Sequence, residues 1–244
     1  MAGDPSFFTL GVGDPDRARS FYGALFDWSF SDPPSGEGAV VEGCSVPGGF
    51  HGGDPGASPY LFFRVDDLDA QLARVRELGG DLAGHDSSDD PDAIARFGRF
   101  ALCTDDQGSS FGLHKPPRGT SETDGAKGQL TFFELGVEDL ERGRTFYEGL
   151  LGWSCVIGPA DGYIVKGAGV PGGMHGGDRG ASPYIFFRVD DMVAALERIR
   201  ELGGTIVDMD VGGDEGANTR FGRFKMCRDD QGSSFGLHEP PETA

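Results

Sequence analysis

Residues 6–12 (SFFTLGV) form a short apolar and aromatic run, the pattern of a half-buried strand. Asp14 and Pro15 follow as a helix start, with Asp14 able to cap and Pro15 placed where a missing N–H costs nothing. Ala18, Phe21, Tyr22, Leu25 and Phe26 then recur at helical spacing and make one apolar face. Trp28-Ser29-Phe30 opens the next strand, and Gly- and Pro-rich turns separate short strands through Gly53. The pattern restarts with a strand over residues 60–65. Asp67 can cap a helix with the stripe Leu68, Leu72, Val75 and Leu78, which Gly79-Gly80 ends. Three further strands are predicted near 81–87, 95–104 and 109–114.

The second half of the chain repeats this plan. Residues 47–67 read PGGFHGGDPGASPYLFFRVDD and residues 171–191 read PGGMHGGDRGASPYIFFRVDD, with three of the 21 positions different. DDQGSSFGLH at 105–114 recurs unchanged at 229–238. The pattern predicts a strand over 130–137, a helix capped by Asp139 that carries Phe146, Tyr147, Leu150 and Leu151, a strand over 184–189 and a helix over 192–202. Each copy holds two units of one strand, a helix and several strands. The polar, aperiodic stretch 115–128 reads as a linker. The expected domains are therefore 1–114 and 129–244, each long enough to bury its own core.

The chain's 244 residues carry a formal net charge of −19, which disfavours nucleic acid and anionic membranes as partners. No basic opening stretch and no apolar run of membrane-spanning length occurs, so a cytoplasmic protein is expected. Of the four cysteines, Cys103 and Cys227 correspond across the repeat whereas Cys44 and Cys155 do not, and no CxxC is present. A reducing compartment without structural disulfides fits this usage.

Phe21-Tyr22, Leu25 and Trp28, then Arg64 to Leu68, Gly79-Gly80, and Asp105 through Leu113, with their equivalents in the second copy, resemble the vicinal oxygen chelate superfamily. That superfamily includes glyoxalase I, bleomycin-resistance proteins and extradiol dioxygenases. The resemblance covers nearly the whole chain apart from the linker. It implies an α+β fold, a tandem duplication of paired βαβββ units whose U-shaped sheets carry helices on the convex side and a ligand on the concave side. It also implies divalent-metal ligands at Phe7 or Phe132, at Tyr60 or Tyr184, and at Gly112 or Gly236. Phenylalanine and glycine offer no donor atom and neutral tyrosine is an infrequent ligand, so no cofactor is expected. If a metal binds, His51, His114, His175 and His238 are the candidates.

Strand alternation turns Phe7 and Thr9, and in the second copy Phe132 and Glu134, toward the concavity. Tyr60, Phe62 and Arg64, repeated by Tyr184, Phe186 and Arg188, join them, as do His114 and His238. His51 and His175 lie near the end of a strand in a glycine-rich lip where Phe50 faces Met174 across the repeat. These residues describe either a pocket for a planar, aromatic or anionic organic ligand or rings that fill a closed sheet. Glu134 stands where the first copy has Thr9, and is either a catalytic base or one half of a salt bridge. The lip lacks GxxxxGK[ST], which excludes a phosphate loop, and no G-x-S-x-G elbow occurs. The expected function is binding of a small organic molecule without metal, by a monomer or a self-associating chain. The alternatives are a lyase or dioxygenase-like enzyme using a displaced histidine site, and an interaction scaffold.

Overall fold

The computed structural model describes residues 2–33, 38–83, 91–117, 127–158, 161–207 and 215–241. The first copy runs β1 (Pro5–Gly11), α1 (Pro15–Phe26), β2 (Ser29–Ser31), β3 (Ala39–Glu42), β4 (Gly48–His51), β5 (Tyr60–Arg64), α2 (Leu68–Glu77), β6 (Asp81–Leu82), α3 (Pro91–Phe97), β7 (Arg99–Thr104) and β8 (Ser110–Lys115). The second runs β9 (Leu130–Gly136), α4 (Leu140–Leu151), β10 (Ser154–Ile157), β11 (Tyr163–Lys166), β12 (Gly172–His175), β13 (Tyr184–Arg188), α5 (Met192–Glu201), β14 (Thr205–Ile206), α6 (Glu215–Phe221), β15 (Arg223–Arg228) and β16 (Ser234–Glu239). Three of the four long helices start at the predicted aspartates, and the fourth is capped by Asp191. Asp14 and Asp139 each accept two backbone N–H groups of the first turn, and Asp67 and Asp191 one each.

Each copy forms one eight-stranded sheet, in the orders β2-β3-β4-β1-β5-β8-β7-β6 and β10-β11-β12-β9-β13-β16-β15-β14. Within a βαβββ unit the helix returns the chain so that first and last strands pair parallel, as β5 with β8, β12 with β9 and β13 with β16. The intervening strands pair antiparallel.

The strand predicted near 95–104 begins later than expected. Residues 95–97 end α3, where Gly98 at φ 83 closes the helix by donating its N–H to Ile94 O. Pro91 at its start and the absence of any buried side chain make this a surface turn of helix, and strand pairing begins only at Arg99. Of the strand predicted near 81–87, Asp81 and Leu82 pair with β7, while 84–90 lies outside the described residues. So does 118–126 of the linker. At the linker's end Gly128 O accepts the indole N–H of Trp28, as Gly3 O accepts that of Trp153.

Packing divides the chain into two compact units. One comprises Met1–Phe8, Tyr60–Ser121 and Phe133–Pro183; the other comprises Thr9–Pro59, Glu122–Phe132 and Tyr184–Ala244. Each unit combines the later half of one copy with the earlier half of the other. In the first, Phe146 and Tyr147 of α4 meet the ring of Phe111 on β8, and Phe63 of β5 meets Phe133 and Trp153. In the second, Phe21, Tyr22 and Phe26 of α1 surround Phe235 of β16, and Phe26 also meets Phe187 of β13. Full burial of each such ring stabilises by about 1.5–3 kcal/mol.

The unchanged DDQGSS turn is the polar clamp of each unit. Asp105 Oδ1 accepts the N–H groups of Gln107 (2.8 Å) and Ser109 (2.9 Å), and Oδ2 accepts the buried hydroxyl of Tyr147 (3.3 Å). Asp106 takes two N–H groups of Arg142. The Gln107 amide pairs with the peptide of Asp139, accepting its N–H and donating to its C=O, at the cap of α4. In the other unit Asp229, Asp230 and Gln231 do the same for Tyr22, Arg17 and Asp14. Asp105→Ala leaves a hydroxyl and two N–H groups buried without this acceptor, and is expected to lower unfolding free energy by about 2–4 kcal/mol in a denaturant titration. Because both copies carry both halves of the clamp, residues 1–114 produced alone are expected to sediment as a dimer; a stable monomer would contradict the clamp's role.

Candidate functional site

On β1 and β9 the alternation holds. Phe8, Leu10, Phe133 and Leu135 are buried on the side of the long helices, and Phe7, Thr9, Phe132 and Glu134 take the opposite face, each half-buried. In the first unit Phe7 packs its ring against Phe62, Phe97, Phe100 and His114. In the second, Phe132 packs against Phe186, Phe224 and His238. Phe62 and Phe186 are buried, the latter 1% exposed. Much of each wall is therefore consumed by its own ring-to-ring packing.

Glycine makes this packing possible. A Cβ at Gly112 would stand 2.1 Å from the Phe62 ring, and one at Gly236 would stand 2.2 Å from that of Phe186. The ring occupies the space that a larger residue at either glycine would need.

His114 and His238 belong to these walls as neutral side chains. His114 stacks on Phe100 with ring centroids 4.2 Å apart, donates from Nε2 to Phe97 O (2.7 Å) and accepts the Ser6 hydroxyl at Nδ1 (2.9 Å). His238 repeats this with Phe224, Phe221 O and Thr131. Burial pushes His114 down to about 4, against the hydrogen bonds and with help from the nearby charge of Arg64; burial lowers His238 in the same way. Tyr60, Arg64, Tyr184 and Arg188 are half-buried at the strand ends, and Arg188 Nε donates to Asp190 at 3.2 Å.

A different polar centre lies at the ends of β9 and β12. The parallel register sets Gly173 beside Glu134 and His175 beside Gly136. His175 Nδ1 lies 3.2 Å from Glu134 Oε1, and Nε2 lies 3.2 Å from Asp178 Oδ2. The hydrogen bond to Glu134 raises the imidazole above its ordinary pKa; burial opposes this, and the charges of Glu134 and Asp178 add to the rise. All three side chains keep contact with solvent, at 38%, 23% and 34% exposure for His175, Glu134 and Asp178. Two glycines clear the space, since a Cβ at Gly173 would stand 2.4 Å from Glu134 Oε2 and one at Gly136 2.5 Å from Asp178 Oδ2. The salt-bridge partner of Glu134 is thus a histidine. In the first copy His51 Nε2 lies 3.4 Å from Asp54 Oδ2, beside Gly11, and position 9 carries a threonine.

Phe50 and Met174 do not line the lip as expected. Both are buried on the helix side, Phe50 against Tyr22 and Met174 with its sulfur 3.0 Å from where a Cβ on Gly143 would be. They adjust helix packing instead. Sequence reasoning passed over Asp54 and Asp178, although the repeated HGGD places an acid three residues after each histidine. Ser6, Thr131, Phe100 and Phe224 were also passed over, because their histidine partners are distant in sequence.

No family profile matches the sequence. The anthracycline biosynthesis protein DauV of Streptomyces sp. (strain C5) is 28% identical, over 97% of this chain and 93% of its own. Among solved structures, a catechol 2,3-dioxygenase aligns with TM-score 0.65 at 15% identity, covering 100% of this chain and 91% of that one. Homoprotocatechuate 2,3-dioxygenase of Brevibacterium fuscum aligns with TM-score 0.67 at 14% identity, covering 97% and 81%. The fold is that of the vicinal oxygen chelate superfamily, as tandem α+β sheets. No helix among the described residues is long and apolar enough to cross a membrane.

These neighbours overturn the expectation that no cofactor is involved, because extradiol dioxygenases use iron or another divalent metal. The side chains at the positions the resemblance assigns to ligands do not fit such an ion. Phe7, Phe132, Gly112 and Gly236 lack donor atoms, and aromatic rings fill the space beside the glycines. Among the described residues no group of three His, Cys, Asp or Glu is arranged to hold a metal ion.

Titration by NMR is expected to separate the histidines. His114 should stay neutral to about pH 4, while His175 should titrate above 6.5 and move down in Glu134→Gln. Between its unfolded value near 6.5 and about 4, His114 binds more protons unfolded than folded. Its contribution to stability therefore falls as pH drops through that window, by on the order of 3 kcal/mol in total.

Proposed function

We propose that this chain, which has the vicinal oxygen chelate fold, binds a small hydroxylated aromatic molecule at the Glu134–His175–Asp178 centre. The observation that carries the reading is an imidazole held by a carboxylate at each nitrogen while all three groups remain partly open to solvent. Two carboxylates beside one imidazole leave these three side chains with a negative balance in either protonation state of the ring, which repels an anion and welcomes a hydroxyl donor. That favours the phenolic over the anionic ligand class. The names of similar proteins agree in kind: DauV is an anthracycline biosynthesis protein, and the solved neighbours are dioxygenases named for catechol and homoprotocatechuate.

Calorimetric titration with 1,2-dihydroxyanthraquinone tests this. His175→Ala is expected to weaken binding at least about tenfold, or about 1.4 kcal/mol. Anthraquinone without hydroxyls should bind more weakly than the dihydroxy compound by a similar factor. Equal affinity of wild type and His175→Ala would remove the centre from the binding site.

A further inference from the structure

The first compact unit carries a second feature on the sheet face away from the long helices. The parallel register of β5 and β8 sets Phe62 beside Gly112 and Arg64 beside His114. The antiparallel register of β7 and β8 sets Phe100 beside the same His114 and Leu102 beside Gly112. Side chains paired across strands share a face, so Arg64, Phe100 and Leu102 stand where Phe7 packs against Phe62 and His114. Phe62 and His114 are buried in that face, whereas Phe7, Phe100 and Leu102 are only half-buried. The self-packed wall therefore keeps an apolar surface toward solvent, with the half-buried Arg64 at its edge.

The Arg64 side chain has donors to spare. The chain holds 40 acidic residues against 21 Lys and Arg, so carboxylates are plentiful. Its counterpart Arg188 directs Nε to Asp190 at 3.2 Å, but among the described residues no acceptor is hydrogen-bonded to the Arg64 guanidinium. Its charge is felt by His114, where it adds to the effect of burial in lowering the pKa. A planar cation with five N–H donors, set beside half-buried rings, matches a flat ligand that carries a carboxylate.

We propose that Arg64 and the surface of Phe7, Phe100 and Leu102 form a second site, for an aromatic carboxylate whose two oxygens accept from the guanidinium and whose ring lies on the apolar surface. The site stands independently of the Glu134–His175–Asp178 centre. That centre has a negative balance and repels an anion, so the two sites divide ligands by charge. Covering the half-buried rings supplies affinity in proportion to the apolar area removed from water, which a neutral and an anionic ligand gain alike. The guanidinium supplies the preference for the anion.

Calorimetric titration with 2-naphthoate near neutral pH and at low salt tests the assignment, with the uncharged 2-naphthamide as comparison. The acid is expected to bind at least about tenfold more tightly than the amide, or about 1.4 kcal/mol. Arg64→Gln should erase that preference, and Arg64→Lys, which keeps the charge but loses the planar fork, should retain part of it. Added salt should weaken the acid more than the amide. Arg188→Gln should leave the preference as it is in wild type. Circular dichroism confirms that each variant is folded. A readout that needs no variant is the NMR spectrum of wild type, in which saturating 2-naphthoate should shift the ring resonances of His114 and leave those of His238 in place. Equal affinity for acid and amide, unmoved His114 resonances, or an Arg64→Gln variant that keeps the preference overturns the site. A loss in Arg188→Gln as large as that in Arg64→Gln overturns its assignment to Arg64. The binding of 1,2-dihydroxyanthraquinone at the Glu134 centre is measured separately, so failure of one site is distinguishable from failure of the other.

Discussion

One buried aspartate in each compact unit, Asp105 in the first and Asp229 in the second, is the contact on which the rest of that unit depends. Each spends one carboxylate oxygen on its own turn and the other on a tyrosine hydroxyl of a helix from the other copy. Burial raises both above the ordinary carboxylate range, so each is retained at a cost that its hydrogen bonds offset. The reward is geometric. A turn that satisfies its own backbone presents Asp106 or Asp230 to an arginine and Gln107 or Gln231 to a helix cap, and so fixes where α4 and α1 lie. Each compact unit depends on that docking.

A second constraint works through glycine. Gly112 and Gly236 let an aromatic ring lie on the strand, which turns the face away from the long helices into a self-packed wall. Gly173 and Gly136 use the same absence of a Cβ to admit Glu134 and Asp178. The same backbone thus carries an apolar, neutral-histidine wall and an open, charged centre. His114 and His175 occupy comparable sheet faces yet shift in opposite directions. One is enclosed by rings and a carbonyl, and the other is flanked by carboxylates.

Much of the fold was legible from spacing. Asp14, Asp67 and Asp139 announced three helix starts, and strand alternation placed Phe7, Thr9, Phe132 and Glu134 on the correct face. The start of β7 was not legible, because Arg96 and Phe97 suit a strand as well as the last turn of a helix, and only Gly98's left-handed backbone decides. Phe50 and Met174 were misplaced for a related reason. In a short strand flanked by glycines, periodicity has too few side chains to set the face.

The sequence by itself determined the duplication, the places of the four long helices, and the pairing of the two histidine sets, since all of these follow from local periodicity and repeated words; the short helices α3 and α6 did not show in it. Only the tertiary structure decided what surrounds each histidine. His114 and His175 are equally polar as letters, and what separates them is whether rings or carboxylates from distant strands close around them. The DDQGSS turn shows the same division. Its identity in both copies was plain, but its purpose depends on a helix more than 30 residues away for Asp105 and more than 200 for Asp229. Hydrogen bonds across such separations leave no trace in local spacing.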